Sequence, residues 1–221
     1  MSEHPEPARH RWGMIIVDLQ NDFLTVGGAY DRGGAVSPEA RAIVPRVARI
    51  AQHLRAAGGL VAATRFTLWP DTDGEPMISP HLRALRPFLR RGDFAPGSRG
   101  QAVIDEIAPL VHVCVDKIAY SAFFGTQLDW LLRRHAVDTL VVTGITTNGG
   151  VASTARDAHV RELDVIVLED ACAAPSLEKH GAALADLRSV GEVISCETLL
   201  SRLASEGPLP PLGRDQRPDP G

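Results

Sequence analysis

The chain has 221 residues, 44% hydrophobic and 23% charged, which suits one globular domain with a central sheet covered on both faces. A formal net charge of -4 denies it the basic face that nucleic acid or an anionic membrane surface requires, so a small molecule is the expected partner. Cys114, Cys172 and Cys196 form no C-x-x-C pair and are too few for a disulfide framework or a zinc cage.

No apolar run approaches the length of a membrane helix and the first residues lack an apolar core segment, so the cytoplasm is the expected location. Residues 1–11 read as a flexible lead-in, 12–205 as the domain and 206–221 as a proline-rich disordered tail. Met14 to Val17 is a short apolar run suited to a strand buried on both sides, and Asp18 ends it. Asp22 to Ser37 reads as a glycine-rich loop. Ser37 and Pro38 then start a helix that carries Ile43, Val47, Ile50, Ala51 and Leu54 inward and stops at Gly58 and Gly59.

Leu60 to Ala63 is the second strand. Trp69 to Gly100 has no clean period and reads as a long excursion over the strand ends, a wall or lid whose Arg83, Arg86, Arg90 and Arg91 form a solvated face or meet a substrate carboxylate. His81 has no acid-x-His pair before it, so no metal is expected, nor any other cofactor. A helix over Gln101 to Ile107 leads to a third strand, Val111 to Val115, and then to Lys117. Tyr120, Phe123 and Phe124 follow, where they would partly desolvate that lysine. A helix from Thr126 to Arg134, strands at Val137 to Val142 and Val165 to Leu168, a helix from His180 to Val190 and a strand at Glu192 to Ser195 complete the pattern.

Strands that alternate with helices require right-handed parallel crossovers, hence a three-layer α/β/α sandwich around a six-stranded parallel sheet. In a doubly wound, Rossmann-like order the first and fourth strands meet at the switch point, which puts Asp18 beside the turn that follows the fourth. That turn holds Gly149 and Gly150, whose missing side chains let a ligand approach the backbone or simply allow a tight bend.

The run Val142 to Ala158, with Thr143-Gly144-Ile145-Thr146-Thr147-Asn148-Gly149-Gly150-Val151 at its head, resembles the signature of the isochorismatase-like cysteine hydrolases. Ile15 to Phe23 resembles the family's first strand with its catalytic aspartate, and Lys117 to Thr126 its lysine segment. The resemblance covers 12–200 and implies Asp18 and Lys117 as catalytic residues. It also implies Gln20, Phe23, Tyr120, Phe123, Thr146, Thr147, Gly149 and Gly150 around the substrate, a cis bond between Ile145 and Thr146, and a homo-oligomer, a dimer or larger. Gly150 stands where most members carry the nucleophilic cysteine.

Without that thiol, two hydrolytic chemistries remain. Isochorismatase-type cleavage of a vinyl ether in a small carboxylate metabolite needs a proton delivered to carbon by an Asp18 carboxyl that burial keeps protonated. Lys117 would then bind carboxylate, the amides of Gly149 and Gly150 would cradle developing charge, and glycine would leave room for substrate or water. The alternative is C–N hydrolysis by water that Asp18 activates, because Thr146-Thr147-Asn148 resembles the ureidoacrylate and biuret amidohydrolase branch. A third reading is an inactive homologue that binds a metabolite. Thr147 and Asn148 are otherwise expected to cap the following helix.

Overall fold

The computed structural model describes residues 10–207; most of the expected lead-in and tail, 1–9 and 208–221, lies outside the described residues. The elements run β1 Trp12–Val17, α1 Asn21–Leu24, α2 Ala29–Arg32, α3 Pro38–Ala42, α4 Val44–Ala56 and β2 Leu60–Phe66. They continue with α5 Pro80–Leu85, β3 Val113–Lys117, α6 Leu128–Arg134, β4 Thr139–Ile145 and α7 Ala152–Val160. β5 Asp164–Ala173, α8 Leu177–Leu187, β6 Glu192–Ile194 and α9 Cys196–Glu206 follow within the described residues.

The six strands form one parallel sheet in the order β3-β2-β1-β4-β5-β6. This is the doubly wound arrangement, with the switch point between β1 and β4, where Val17 pairs with Gly144. All six residues of β1 and all seven of β4 are buried, as central parallel strands require. One face packs Met14, Ile16, Val61 and Val141 against Ile50 and Leu54 of α4 and Leu199 and Leu203 of α9. The other packs Ile15, Val17 and Val142 against Leu128 of α6, Ala155 of α7 and Leu184 of α8. Each fully buried aliphatic side chain contributes about 1.5–3 kcal/mol, so these two layers dominate the fold's stability.

Local chemistry explains where the elements depart from the sequence reading. The single helix expected from Pro38 breaks at Ile43 into α3 and α4, because Pro45 has no amide to continue the ladder. β3 begins two residues late: His112 Nδ1 accepts the Val61 amide at 3.0 Å, a place a strand carbonyl would otherwise take. The helix expected over Gln101 to Ile107 is absent. Backbone pairing holds that segment instead, with Asn21 N donating to Ala102 O at 3.0 Å and Ile104 N to Leu19 O at 3.0 Å. Its apolar residues Val103, Ile104 and Ile107 are still buried, as turns rather than as a helix face. α8 starts before His180 because the Ser176 hydroxyl caps Lys179 N at 3.2 Å.

The sequence reading had no counterpart for α9, whose first turn is anchored by Asp170 Oδ1 accepting Cys196 N at 2.8 Å. The helix reaches Glu206, which accepts Trp12 Nε1 at 3.0 Å, so the start of the expected tail is ordered onto β1.

Candidate active site

The C-terminal ends of β1, β2, β3 and β4 share one edge of the sheet, and Asp18 is the first residue beyond β1. Its φ of 56° lies in the left-handed region, which asparagine and aspartate enter more readily than most side chains. That turn of the backbone lets Asp18 N donate to Thr64 Oγ1 at 2.9 Å while the same hydroxyl donates to Asp18 Oδ1 at 2.6 Å. Lys117 lies at the end of β3, two strands away, and its four-carbon stem crosses β2 to place Nζ 2.8 Å from Asp18 Oδ2. Nζ also donates to Ala119 O at 2.9 Å and lies 5.6 Å from the centroid of Phe66.

Both side chains are withdrawn from water, Lys117 at 2% exposure and Asp18 at 7%. The aromatic ring over the ammonium is Phe66, whereas Tyr120 and Phe124, expected to cover it, are each 61% exposed. Both oxygens of the carboxylate are thus engaged by donors, one of them charged, in surroundings that strengthen such contacts.

β4 delivers the glycine turn to the same place. A Cβ on Gly144, at φ 106°, would stand 2.2 Å from Val17 O, so only glycine lets β4 pass this close to β1. The Ile145–Thr146 bond is cis, as the resemblance implied. Thr147–Val151 then winds as a wide turn before α7, closed by Val151 N donating to Thr146 O at 3.2 Å. Gly149 N also donates to Thr146 O, at 2.9 Å; its amide faces inward and does not form the cradle expected of it.

Gly150 sits directly beside the carboxylate. A Cβ there would lie 3.5 Å from Asp18 Oδ2 and 3.1 Å from Ile145 O, but only 2.8 Å from Val17 Cγ1. The expectation that glycine leaves open room is corrected at its base, because a side chain starting there would crowd the Val17 methyl. Thr147 caps nothing either: its hydroxyl pairs with His180 Nδ1 at 2.8 Å, while Asn148 is exposed. The sequence reading missed His180, which comes from α8, more than thirty residues away, with no signal of its own.

The other expected site residues separate into two groups. Phe23 is half-buried in an aromatic wall, 4.6 Å from Tyr30, 4.6 Å from Phe94 and 6.3 Å from Phe66 between centroids. Tyr120 lies over the turn, its Cε1 3.3 Å from where a Gly149 side chain would begin, and Thr146 Oγ1 is 2.7 Å from the same point. Gln20 and Phe123 do not face the carboxylate. Gln20 is fully buried and commits its amide to backbone, Nε2 to Phe66 O at 2.9 Å and Gln101 O at 2.8 Å, Oε1 to Phe66 N at 2.7 Å. Phe123 packs in the core beneath Arg161, which lies 4.4 Å over its ring at the far end of α7.

Tyr30 and Arg86 join the site from the two connecting segments, with Arg86 Nε donating to Tyr30 Oη at 3.0 Å. Burial pushes the Tyr30 hydroxyl's pKa up. The Arg86 bond and charge oppose that shift, and the nearby Asp18 and Tyr120 add to it.

None of the three thiols is placed or activated as a nucleophile. Cys172 is buried with Sγ toward Val142 O, and burial raises its pKa far above the ordinary thiol range. Burial and the neighbouring Asp170 push Cys196 up to about 12, and burial also raises Cys114. Among the described residues no group of three or more His, Cys, Asp and Glu converges, and no helix is long and apolar enough to cross a membrane.

Comparison with known proteins gives a consistent result. The model of the isochorismatase domain matches residues 13–198. The chain is 35% identical over 208 residues to the ureidoacrylate amidohydrolase RutB of Methylobacterium radiotolerans, covering 85% of this chain and 78% of that one. Among solved structures, a cysteine hydrolase from Pseudomonas syringae pv. phaseolicola superposes with a TM-score of 0.76 at 28% identity, over 92% of this chain and 100% of the other. An N-carbamoylsarcosine amidase from Thermoplasma acidophilum gives 0.67 at 28% identity, over 85% and 97%.

Proposed function

We propose that this chain, which belongs to the isochorismatase family of hydrolases, cleaves a C–N bond of a small ureido or amide substrate, with water as nucleophile and Asp18 as its base. The observation that carries this reading is the Asp18 carboxylate, held between Lys117 and Thr64 beside a residue 150 that has no side chain. With no thiolate to form an acyl-enzyme, the attacking group must come from solvent. Water attacks the carbonyl carbon as its proton passes to Asp18 Oδ2. The tetrahedral intermediate then collapses, the C–N electron pair leaves on nitrogen, and the same proton moves from Asp18 to that nitrogen. Lys117 balances the carboxylate before the transfer and offers a positive charge to the intermediate after it. The names of the amidohydrolase and amidase relatives support C–N chemistry.

A second reading, vinyl ether cleavage, draws on one observation, the glycine at 150. The ion pair counts against it: a carboxylate whose two oxygens accept from an ammonium and a hydroxyl is arranged as a base, whereas that reaction needs a proton donor. The test is a panel of ureido acids, amides and vinyl ethers followed by NMR, with Asp18→Asn as control. C–N cleavage reduced about 10²–10⁴-fold by Asp18→Asn supports the proposal. Ether cleavage alone, or turnover that survives Asp18→Asn, overturns it.

A further inference from the structure

Arg86 is a half-buried guanidinium with no carboxylate within ion-pair distance among the described residues. Eleven other arginines in the described residues do have one, including Arg91 in the same connecting segment. Its Nε donates to Tyr30 Oη at 3.0 Å and its Nη1 to Leu85 O at 2.9 Å. Its Cζ stands 5.7 Å from the Tyr30 centroid. These contacts fix the plane of the guanidinium without neutralising it. Partial burial of an unpaired charge is unfavourable, and a carboxylate brought by a ligand would offset that cost.

The surroundings indicate where that ligand sits. Tyr30 packs tilted against Phe23, Phe23 neighbours Phe66, and the Lys117 ammonium lies over Phe66. A wall of three rings therefore runs from the Arg86 guanidinium to the Asp18–Lys117 pair. The chain of ring contacts from Tyr30 through Phe23 to Phe66 is what links the guanidinium to the carboxylate.

We propose that Arg86, oriented by Tyr30, binds a carboxylate at the end of the substrate remote from the scissile bond, so that the enzyme acts on short ureido or amide monocarboxylates. A planar guanidinium fork matches a carboxylate in two-point contact, which a lysine in the same place would not reproduce. The Phe23, Tyr30 and Phe66 rings flank the spacer between the two ends and favour one that is flat or apolar. The assignment rests on the C–N hydrolase reading only for the reacting end of the substrate; the anchor itself is a binding site.

The test uses 3-ureidopropionate and its uncharged primary amide as probes, in binding by titration calorimetry and in hydrolysis. Arg86→Gln is expected to weaken 3-ureidopropionate binding at least tenfold, to leave the uncharged probe unchanged, and to raise KM with little effect on kcat. Arg86→Lys should recover only part of the loss. Tyr30→Phe should weaken the acid several-fold while the thermal midpoint holds. Arg90→Gln, an exposed arginine in the same segment, should change nothing. Equal losses for both probes, or none for the acid, overturn the anchor. Arg86-dependent binding of the acid with no C–N cleavage of either probe keeps the anchor and removes the hydrolase reading. Cleavage that ignores Arg86 does the reverse.

Discussion

Thr64 and Asp18 serve each other in both directions: one hydroxyl accepts the Asp18 amide at 2.9 Å and donates to the Asp18 carboxylate at 2.6 Å. The pair fixes a residue whose φ of 56° would otherwise relax, and so holds the proposed base in place. Replacing the hydroxyl by a methyl in Thr64→Val leaves a buried amide without its acceptor and a carboxylate oxygen without its donor. The expected cost is about 1–3 kcal/mol of stability, read from urea unfolding, together with a fall in kcat larger than any change in KM.

The Asp18–Lys117 pair is nearly sealed from water, so removing one charge strands the other. Lys117→Met is expected to destabilise by about 3–5 kcal/mol. Asp18→Asn made in the same protein should recover a large part of that loss, because the pair is then gone together. A double-mutant cycle in urea measures the coupling; additive effects would mean the two groups do not hold each other.

A side chain at residue 150 meets Val17 before it meets the site. Gly150→Ala puts a methyl 2.8 Å from Val17 Cγ1, inside a fully buried strand that cannot move aside freely. Destabilisation of about 1–3 kcal/mol is expected from such overpacking, and the Val17→Ala background should relieve part of it. Gly150→Cys faces the same crowding, so a thiol graft without the Val17 change should fold less stably and show little thiol-dependent turnover. Thermal melts of these variants beside the wild type check the stabilities, and a turnover assay of Gly150→Cys checks the thiol.

Alkylation tests the absence of a cysteine mechanism independently. Burial raises all three thiols, with Cys196 near 12, so very little thiolate is present at neutral pH. Iodoacetamide at pH 7 should leave the folded protein largely unlabelled and its activity intact, whereas urea should expose three reactive positions by mass spectrometry. Loss of activity in step with labelling of one cysteine would replace Asp18-activated water with a thiol route.

The reasons for what the sequence disclosed are visible in the same residues. β1 and β4 are buried on both faces, so their apolar runs read directly, and with them the switch point and the position of Asp18. Lys117 was legible only through the family resemblance, since its approach to Asp18 depends on a stem spanning β2. Polar residues committed to backbone were opaque: nothing local distinguishes Gln20, which braces Phe66 and Gln101, from a substrate ligand. Thr64, His180, Tyr30 and Arg86 act through partners 33 to 56 residues away, a relationship no spacing rule contains. The segment 101–107 failed for the opposite reason. Its apolar spacing suits a helix, but pairing with residues 19–21 took the backbone groups a helix would use.

The same pairing ties the Arg86 segment to the sheet, and Asp22 is its principal fastening. Buried at 5% exposure, its Oδ1 accepts Ala29 N at 3.0 Å and its Oδ2 accepts Phe94 N at 2.7 Å, while its own amide donates to Gly100 O at 2.9 Å. One carboxylate thus joins the segment that bears Tyr30 to the one that bears Arg86. Asp22→Asn keeps the shape but turns an amide NH2 toward one of two backbone donors, so one buried N–H loses its acceptor at a cost of about 1–3 kcal/mol. That cost falls on the connecting segments rather than on the sheet. Hydrogen exchange should rise at Phe94 and Ala29 and remain slow in β1 and β4. KM for a carboxylate substrate should rise more than kcat falls, because the guanidinium loses its fixed distance from Asp18. Uniformly faster exchange across the sheet would instead make Asp22 a residue of global stability with no special bearing on the Arg86 wall.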